Sequence, residues 1–436
     1  MKVAFATLGC RVNLYETEAM TEKFIKEGYE LVDFGEYSDV YVINTCTVTN
    51  MGDKKSRQMI RRAKKLNENS IVAVVGCYAQ IAPLEVSKIE GVDIVLGTRN
   101  KGEVVNFVNK AIKEKHKSQR VLVKDVLKNK VFEELNIEEY QNKTRAFLKI
   151  QDGCNKFCSY CLIPFARGAV CSKNPKKVLE EVKKLSEHGF KEIVLSGIHI
   201  ASFGNDLKGE WNLLKILEEV NKVEGIERIR IGSIDPEFFT EETIKKIALL
   251  PKMCSHFHLS LQSGCNETLK RMNRHYTVED YKNSVSNLRK YIKNVSVTTD
   301  VIVGFPMESE EEFKKTYDFL TDLELSKMHI FKYSERKGTK AASMEGKING
   351  ILKEERSSKL IKLDKMLEKK FIEKFLGKEM KVLFEAVVHG EEDVYEGYTE
   401  NYIKVFAKSK EDIRDKILNT TIIAAKDEHA LGEIKK

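Results

Sequence analysis

Cys154, Cys158 and Cys161 lie in the run Gly153-Cys154-Asn155-Lys156-Phe157-Cys158-Ser159-Tyr160-Cys161, a C-x3-C-x2-C spacing. Three thiolates on one short loop can reach three corners of a single inorganic cluster. A cubane has four irons, so three ligands leave one iron open to chemistry that a fully ligated iron cannot do. Cys10, Cys46 and Cys77 form a second set, each following a short apolar run that reads as a strand. Two triplets in one chain imply two clusters with two jobs. Zinc is the alternative for the first loop. It would need a fourth ligand, and the nearby sequence offers no histidine and no C-x2-C repeat. Cys171 is the one candidate for that place. Nine cysteines, an odd number, suit a disulfide framework poorly.

Strands and helices must bring these ligands together. Residues 1–112 alternate the two, with strands expected at 3–8, 40–44, 71–75 and 94–96 and helices at 13–26 and 54–66. Short, fully apolar strands between helices imply a parallel sheet covered on both faces. Ligands gather at the carboxyl ends of such strands, where Cys10, Cys46 and Cys77 fall. Residues 113–142 are charged and read as a linker with little core. A second series follows over 143–372, with strands expected at 146–150, 192–195, 228–231, 257–261, 295–303 and 328–333. Six strand–helix repeats predict a partial parallel barrel with its site on the carboxyl-side loops, and Cys154 closely follows the first strand. A long helix over 353–375 closes this part. The tail, 373–436, changes period and reads as a small antiparallel β-barrel. The fold class is therefore α/β, with a parallel-sheet domain, a partial (β/α)6 barrel and a β-barrel tail.

At 436 residues and 42% hydrophobic the chain can bury more than one core. No apolar run of about 18 residues occurs, so no membrane span is expected. The amino terminus lacks signal-peptide features, and a cytoplasmic location is expected, where thiols stay reduced. The net charge of +8 is uneven. Lys54, Lys55, Arg57, Arg61, Arg62, Lys64 and Lys65 crowd one expected helix, and 110–130 is a second basic stretch. Such clusters suit a phosphate backbone, although a solvated helix face would look the same.

The C-x3-C-x2-C loop, with an aromatic before its last cysteine and after the first strand of a partial barrel, resembles the radical S-adenosylmethionine (SAM) superfamily. There the open iron chelates SAM, and electron transfer splits it to give a 5′-deoxyadenosyl radical. By that resemblance Ser196 and Gly197 would meet the SAM amino group. Asp300 and Ile302, in Thr299-Asp300-Val301-Ile302-Val303-Gly304-Phe305-Pro306, would run beside its adenosine. Tyr160, like Phe157, either shields the cluster or packs on adenine, or else is ordinary packing. The runs Leu8-Gly9-Cys10-Arg11-Val12-Asn13, Asn44-Thr45-Cys46-Thr47-Val48-Thr49 and Gly76-Cys77-Tyr78-Ala79-Gln80 are similar to the methylthiotransferase domain, whose cysteines hold a sulfur-carrying cluster. Asn13 and Asn44 would shape loops near it. The tail resembles a TRAM domain, and the whole is similar to the MtaB subgroup of radical SAM methylthiotransferases.

The resemblance implies two 4Fe-4S clusters, SAM as both methyl donor and radical source, and a tRNA substrate. Its base would be N6-threonylcarbamoyladenosine beside the anticodon, methylthiolated at C2. A low-potential electron donor and a sulfur source are also implied. Alternatives are a methylthiotransferase for isopentenyladenosine or a ribosomal protein, a noncatalytic iron–sulfur sensor that binds RNA, and a zinc-stabilised RNA-binding protein. His256, His258 and Ser260 alternate onto one strand face, which in a barrel is either the inner one or ordinary core. The sequence departs from the family after Ala166-Arg167-Gly168, where arginines are usual, and at Met307, where glycine is common. The first departure bears on a phosphate or substrate contact, the second on a loop near SAM.

Overall fold

The computed structural model describes residues 1–114, 119–128, 130–135, 137 and 144–435. The first domain contains β1 (Lys2–Thr7), α1 (Arg11–Lys26), β2 (Glu30–Val32), β3 (Val40–Thr45), α2 (Asn50–Leu66), β4 (Ile71–Gly76), α3 (Cys77–Ile81), α4 (Pro83–Ser87), β5 (Ile94–Leu96), α5 (Val104–Lys113) and β6 (Arg120–Leu122). Its sheet has the order β2-β1-β3-β4-β5-β6, parallel throughout. Strands β3 and β4 are buried along their whole length. Alternate residues point to opposite faces. Val40, Val42, Ala73 and Val75 therefore meet α1 and α5 through Met20, Phe24, Val104 and Val108. Tyr41, Ile43, Val72 and Val74 meet Ile60 and Ala63 of α2 on the other side.

The second domain opens with β7 (Arg145–Lys149), β8 (Gln151–Asp152), α6 (Ile163–Arg167), β9 (Cys171–Ser172), α7 (Pro175–Glu187), β10 (Glu192–Ser196), α8 (Leu213–Asn221) and β11 (Arg228–Ile231). It continues through α9 (Glu241–Ala248), β12 (His256–His258), α10 (Asn266–Arg271), α11 (Val278–Tyr291), β13 (Ser296–Val303), α12 (Glu310–Leu323), β14 (Lys327–Lys332) and α13 (Gly350–Glu373). Six strands pair in parallel as β11-β10-β7 and β12-β13-β14, and parallel bridges from Ile229 to Met253 and from Ile234 to Leu259 join the halves. This is the expected open barrel. One continuous core runs beneath its helices.

The tail contains β15 (Glu379–Val387), β16 (Val394–Thr399), β17 (Lys404–Lys408), β18 (Ile417–Ala425) and β19 (Ala430–Ile434). They close into a five-stranded barrel. Its ladders are antiparallel except β17–β19, which is parallel. Strands β2, β6, β8, β9 and β19 were not foreseen.

The segment 113–142 departs from its reading as a linker with little core. Strand β6 extends the first sheet, and Leu135 and Ile137 are buried in the core of the partial barrel. Residues 115–118, 129, 136 and 138–142 of that reading lie outside the described residues. Among the described residues, no helix is long and apolar enough to cross a membrane.

The turn between β16 and β17 plugs the amino-terminal side of the partial barrel. Tyr402 stacks on His256 at 4.6 Å and on Tyr398 at 4.8 Å, with the Arg230 guanidinium 4.5 Å from its ring centre. Its hydroxyl accepts from Arg11 Nη2 at 2.9 Å and Arg145 Nη1 at 3.2 Å. One side chain thus ties all three domains together, and its φ of +67° shows that packing outweighs local backbone preference there. Tyr402→Ala should lower stability by about 3 kcal/mol, as loss of a packed aromatic does. Tyr402→Phe should cost about 1 kcal/mol for the hydroxyl bonds. Thermal unfolding of the two variants checks both values.

Candidate iron–sulfur and SAM site

Cys10, Cys46 and Cys77 sit just past β1, β3 and β4, which are neighbours in the sheet. Register brings these ends level, with Thr7 beside Asn44 and Asn44 beside Val75. Neighbouring strands lie about 4.8 Å apart, so three adjacent ends span roughly 10 Å, within reach of one cubane. Gly9 (φ +101°) and Gly76 (φ +99°) make the loops fit. A Cβ on Gly9 would come 2.8 Å from Cys46 Sγ, and one on Gly76 2.6 Å from Asn44 Oδ1. Asn13 Nδ2 donates to Leu8 O at 2.7 Å and Thr45 O at 3.0 Å, and Asn44 Nδ2 returns a bond to Asn13 O at 2.9 Å. The two asparagines therefore pin the cysteine loops to each other. Cys10 occupies the cap position of the sixteen-residue α1.

The second triplet hangs on a loop whose base is closed by the β8–β9 ladder. The loop is pinned from several sides. Ser159 N donates to Met272 O and Ala341 N to Ser159 O, while Asn273 Nδ2 donates to Phe157 O at 3.1 Å. The sulfurs already accept hydrogen bonds, Cys154 from Lys156 N and Cys161 from Ile163 N, both at 3.4 Å. Arg274 Nη1 reaches Cys158 Sγ at 3.3 Å. Its Nη2 pairs with Asp235 at 2.7 Å, and Asp235 is also bound by His199 Nε2 at 2.8 Å. Burial opposes the Asp235 charge, but His199 and Arg274 outweigh it and hold the carboxyl well below its usual range.

Burial pushes Cys46 and Cys154 up to about 11 and Cys161 up to about 12, and in each case the other thiols of its own triplet add to the rise. Uncompensated thiolates are therefore disfavoured at Cys46, Cys154 and Cys161, and binding a cationic group there must release their protons. Three sulfurs per set, backbone N–H groups aimed at them and a guanidinium on each triplet fit a cubane. Cys171 does not join either set. It is buried on β9 and accepts from Arg99 Nη1 at 2.7 Å.

A buried ion network lies between the triplets. Glu16 of α1 is bound by Lys149 Nζ at 2.7 Å, by Arg167 Nη1 at 2.6 Å and by Lys101. Asp152 is bound by Lys149 at 2.6 Å, Arg167 at 3.4 Å and Arg99 at 3.7 Å. Arg167 also donates Nε to Cys77 Sγ at 3.3 Å and Nη2 to Asn13 Oδ1 at 2.5 Å. Four cations face two carboxylates, and the excess positive charge adjoins Cys77, where thiolates bring negative charge. Glu133 is also near Lys101 and Lys149, but burial pushes its carboxyl up. Arg167 ends α6, which begins two residues after Cys161. Six residues of near-helical chain rise about 9 Å, so one arginine side chain carries the second triplet's loop onto the first triplet.

Of the other foreseen residues, Tyr160 and Ile302 pack on one small cluster with Phe305 and Tyr333, the Tyr160 and Phe305 rings 6.3 Å apart. Ser196 and Gly197 end β10 beside Gln151, which leaves no space for a side chain at Gly197. Asp300, two residues before Ile302 on β13, lies 3.4 Å from His258 Nε2. Met307 keeps a left-handed φ of +64°, the conformation that a glycine holds without strain. Lys173, in the departure after Arg167, is buried against Glu181. Sequence reasoning missed Glu16, Arg99, Lys101, Lys149, Asp152, Asp235 and Arg274. A signal existed for two of them. Glu16 lies on the buried face of α1 among Val12, Tyr15 and Ala19, and Lys149 lies in the otherwise apolar run Ala146-Phe147-Leu148-Lys149-Ile150.

Residues 2–97 match the uncharacterized protein family UPF0004, and residues 148–320 match the Radical SAM superfamily. A Bacillus subtilis protein named threonylcarbamoyladenosine tRNA methylthiotransferase MtaB is 44% identical over 426 residues, covering 97% of this chain and 94% of that protein. A Clostridium botulinum protein named tRNA-2-methylthio-N(6)-dimethylallyladenosine synthase is 35% identical over 433 residues, covering 98% and 95%. The solved radical S-adenosylmethionine methyltransferase TsrM from Kitasatospora setae, described with cobalamin and a 4Fe-4S cluster bound, superposes with a TM-score of 0.60 at 14% identity, covering 78% of this chain and 77% of that one. This last likeness concerns the fold.

The ion network predicts a pH dependence. Burial opposes the charges on Glu16 and Asp152, but their cations outweigh it and hold both carboxyls below their ordinary values of 4.5 and 3.8. The unfolded chain then binds more protons once the pH falls below about 4.5, so stability present above that value is lost on acidification. Glu16→Gln leaves three buried cations short of a counter-charge and should cost about 3–5 kcal/mol. Unfolding midpoints between pH 7 and pH 3.5 check the direction for the wild type and the loss for the variant.

Proposed function

We propose that this chain, which belongs to the radical SAM methylthiotransferase family, converts N6-threonylcarbamoyladenosine in tRNA to its 2-methylthio derivative. Identity over nearly the full length supports that substrate, at 44% to two relatives named for threonylcarbamoyladenosine, against 35% both to a third so named and to those named for dimethylallyladenosine. The observation that carries the reading is the pair of cysteine triplets on neighbouring loops, joined by Arg167. Cys154, Cys158 and Cys161 would hold one 4Fe-4S cluster, and Cys10, Cys46 and Cys77 a second. When bound, these groups and SAM supply the radical and the sulfur that an unactivated aromatic C2–H position requires.

The chain's own residues do the positioning. Arg274 and Arg167 each set a positive charge against one triplet, favouring the thiolate forms that bind iron. Tyr160 and Ile302 offer an apolar wall for an adenosine, and Ser196 and Gly197 offer the end of β10 for the polar end of SAM. The substrate base comes from a single-stranded loop, so it can be splayed into a pocket at modest cost. Lys54, Lys55, Arg61, Arg62 and Lys65 are exposed on α2, the helix that follows the Cys46 loop, and would meet the phosphate backbone. Arg336 is excluded from that role, because it is spent on Thr47, Asn50 and Asp53.

An anaerobic assay on tRNA that lacks the methylthio group, followed by nucleoside mass spectrometry, tests the reading. The wild type should yield 2-methylthio-N6-threonylcarbamoyladenosine. Cys158→Ala should abolish SAM cleavage. Cys46→Ala should spare cleavage and stop sulfur insertion. Normal methylthiolation by either variant contradicts the assigned roles.

A further inference from the structure

The barrel interior carries a side-chain group that neither cysteine loop uses. His258, Asp300 and His329 stand on the adjacent strands β12, β13 and β14. Asp300 is directly opposite His329, and His258 is opposite Thr298 on the same face of β13 as Asp300. Their neighbours in sequence, Phe257, Leu259, Val301, Met328 and Ile330, pack into the core beneath the helices, which turns these three side chains inward. One ligand atom from each lies within 4.8 Å of the others.

The His258–Asp300 geometry is that of two ligands rather than of a bonded pair. His258 Nε2 lies 3.4 Å from Asp300 Oδ2, yet this buried nitrogen makes no hydrogen bond among the described residues. A tetrahedron built on metal bonds of about 2.0–2.2 Å has edges of roughly 3.4 Å. The other ring nitrogen, Nδ1, is engaged by Thr298 Oγ1 at 2.9 Å. That contact aims Nε2 at the gap, as outer partners do for metal-binding imidazoles. His329 stacks against His258 with ring centres 5.8 Å apart.

We propose that His258, Asp300 and His329 form a divalent transition-metal site of the zinc or iron(II) class, separate from the six cysteines. Two imidazoles and one carboxylate suit these ions, whereas magnesium and calcium prefer oxygen donors throughout. Three protein ligands leave at least one position open for an oxygen ligand inside the barrel. Asp300 is then a metal ligand rather than an adenosine contact. The assignment rests on no part of the methylthiolation reading.

The test uses tag-free protein with its clusters reconstituted anaerobically, so that the cysteines are already engaged. Equilibrium dialysis against micromolar zinc sulfate, followed by elemental analysis, counts bound zinc and iron together. At zinc concentrations that saturate the wild type, His258→Ala and His329→Ala should each bind about one equivalent less, with iron unchanged. His329 is exposed, so its variant decides the matter if His258→Ala loses iron through misfolding. Equal zinc in the wild type and His329→Ala overturns the site.

Discussion

A single buried carboxylate organises the meeting of the first two domains. Glu16 projects from α1, a helix that packs Met20 and Phe24 on its own sheet and Tyr15 and Ala19 on the partial barrel. Between those surfaces it gathers Lys101 from its own domain and Lys149 and Arg167 from the next. Burying these charges carries a large desolvation cost, and mutual pairing repays it only in good geometry. The network therefore adds little net stability as a whole but tolerates few arrangements. It fixes how the first sheet sits on β7 and on the loop after it.

That constraint sets the chemistry. Arg167 pairs with Glu16 and Asp152 and also lies on Cys77, so the domain interface and the first cysteine triplet share the same guanidinium. The loop that carries the second triplet leads straight into α6 and Arg167. Domain packing thus determines how the two sets of thiols face each other. At the far side of the barrel Tyr402 plays a matching part. Arg11, the residue after Cys10, donates to its hydroxyl, so the tail barrel also bears on the first cysteine loop.

The readable part of this chain was the part whose chemistry is local. C-x3-C-x2-C marks its candidate ligands by spacing. Cysteines after three apolar runs were marked as a candidate set by the rule that parallel strands present loops at one edge, and β1, β3 and β4 are neighbours in the sheet. The six barrel strands were legible from alternating strand and helix patterns. What stayed hidden depended on distant partners. Strand β2 is three residues long with two of them exposed. Strand β19 contains Gly432 and pairs in parallel with a strand more than twenty residues earlier. Leu135 and Ile137 are isolated apolar residues among charges, and only the packed structure shows them entering the barrel core. Most of the buried ions were hidden for the same reason: Glu16 meets Lys149 and Arg167 from more than a hundred residues away, and such a charge looks like any other surface charge in the sequence.

The central claim is that each triplet grips its own cubane. Iron and acid-labile sulfide counted per polypeptide in anaerobically reconstituted protein test it most directly. The account predicts about eight of each for the wild type, and about four when Cys10, Cys46 and Cys77 are all replaced by alanine. A wild-type protein that never exceeds about four irons, or a triple variant that still holds eight, contradicts it.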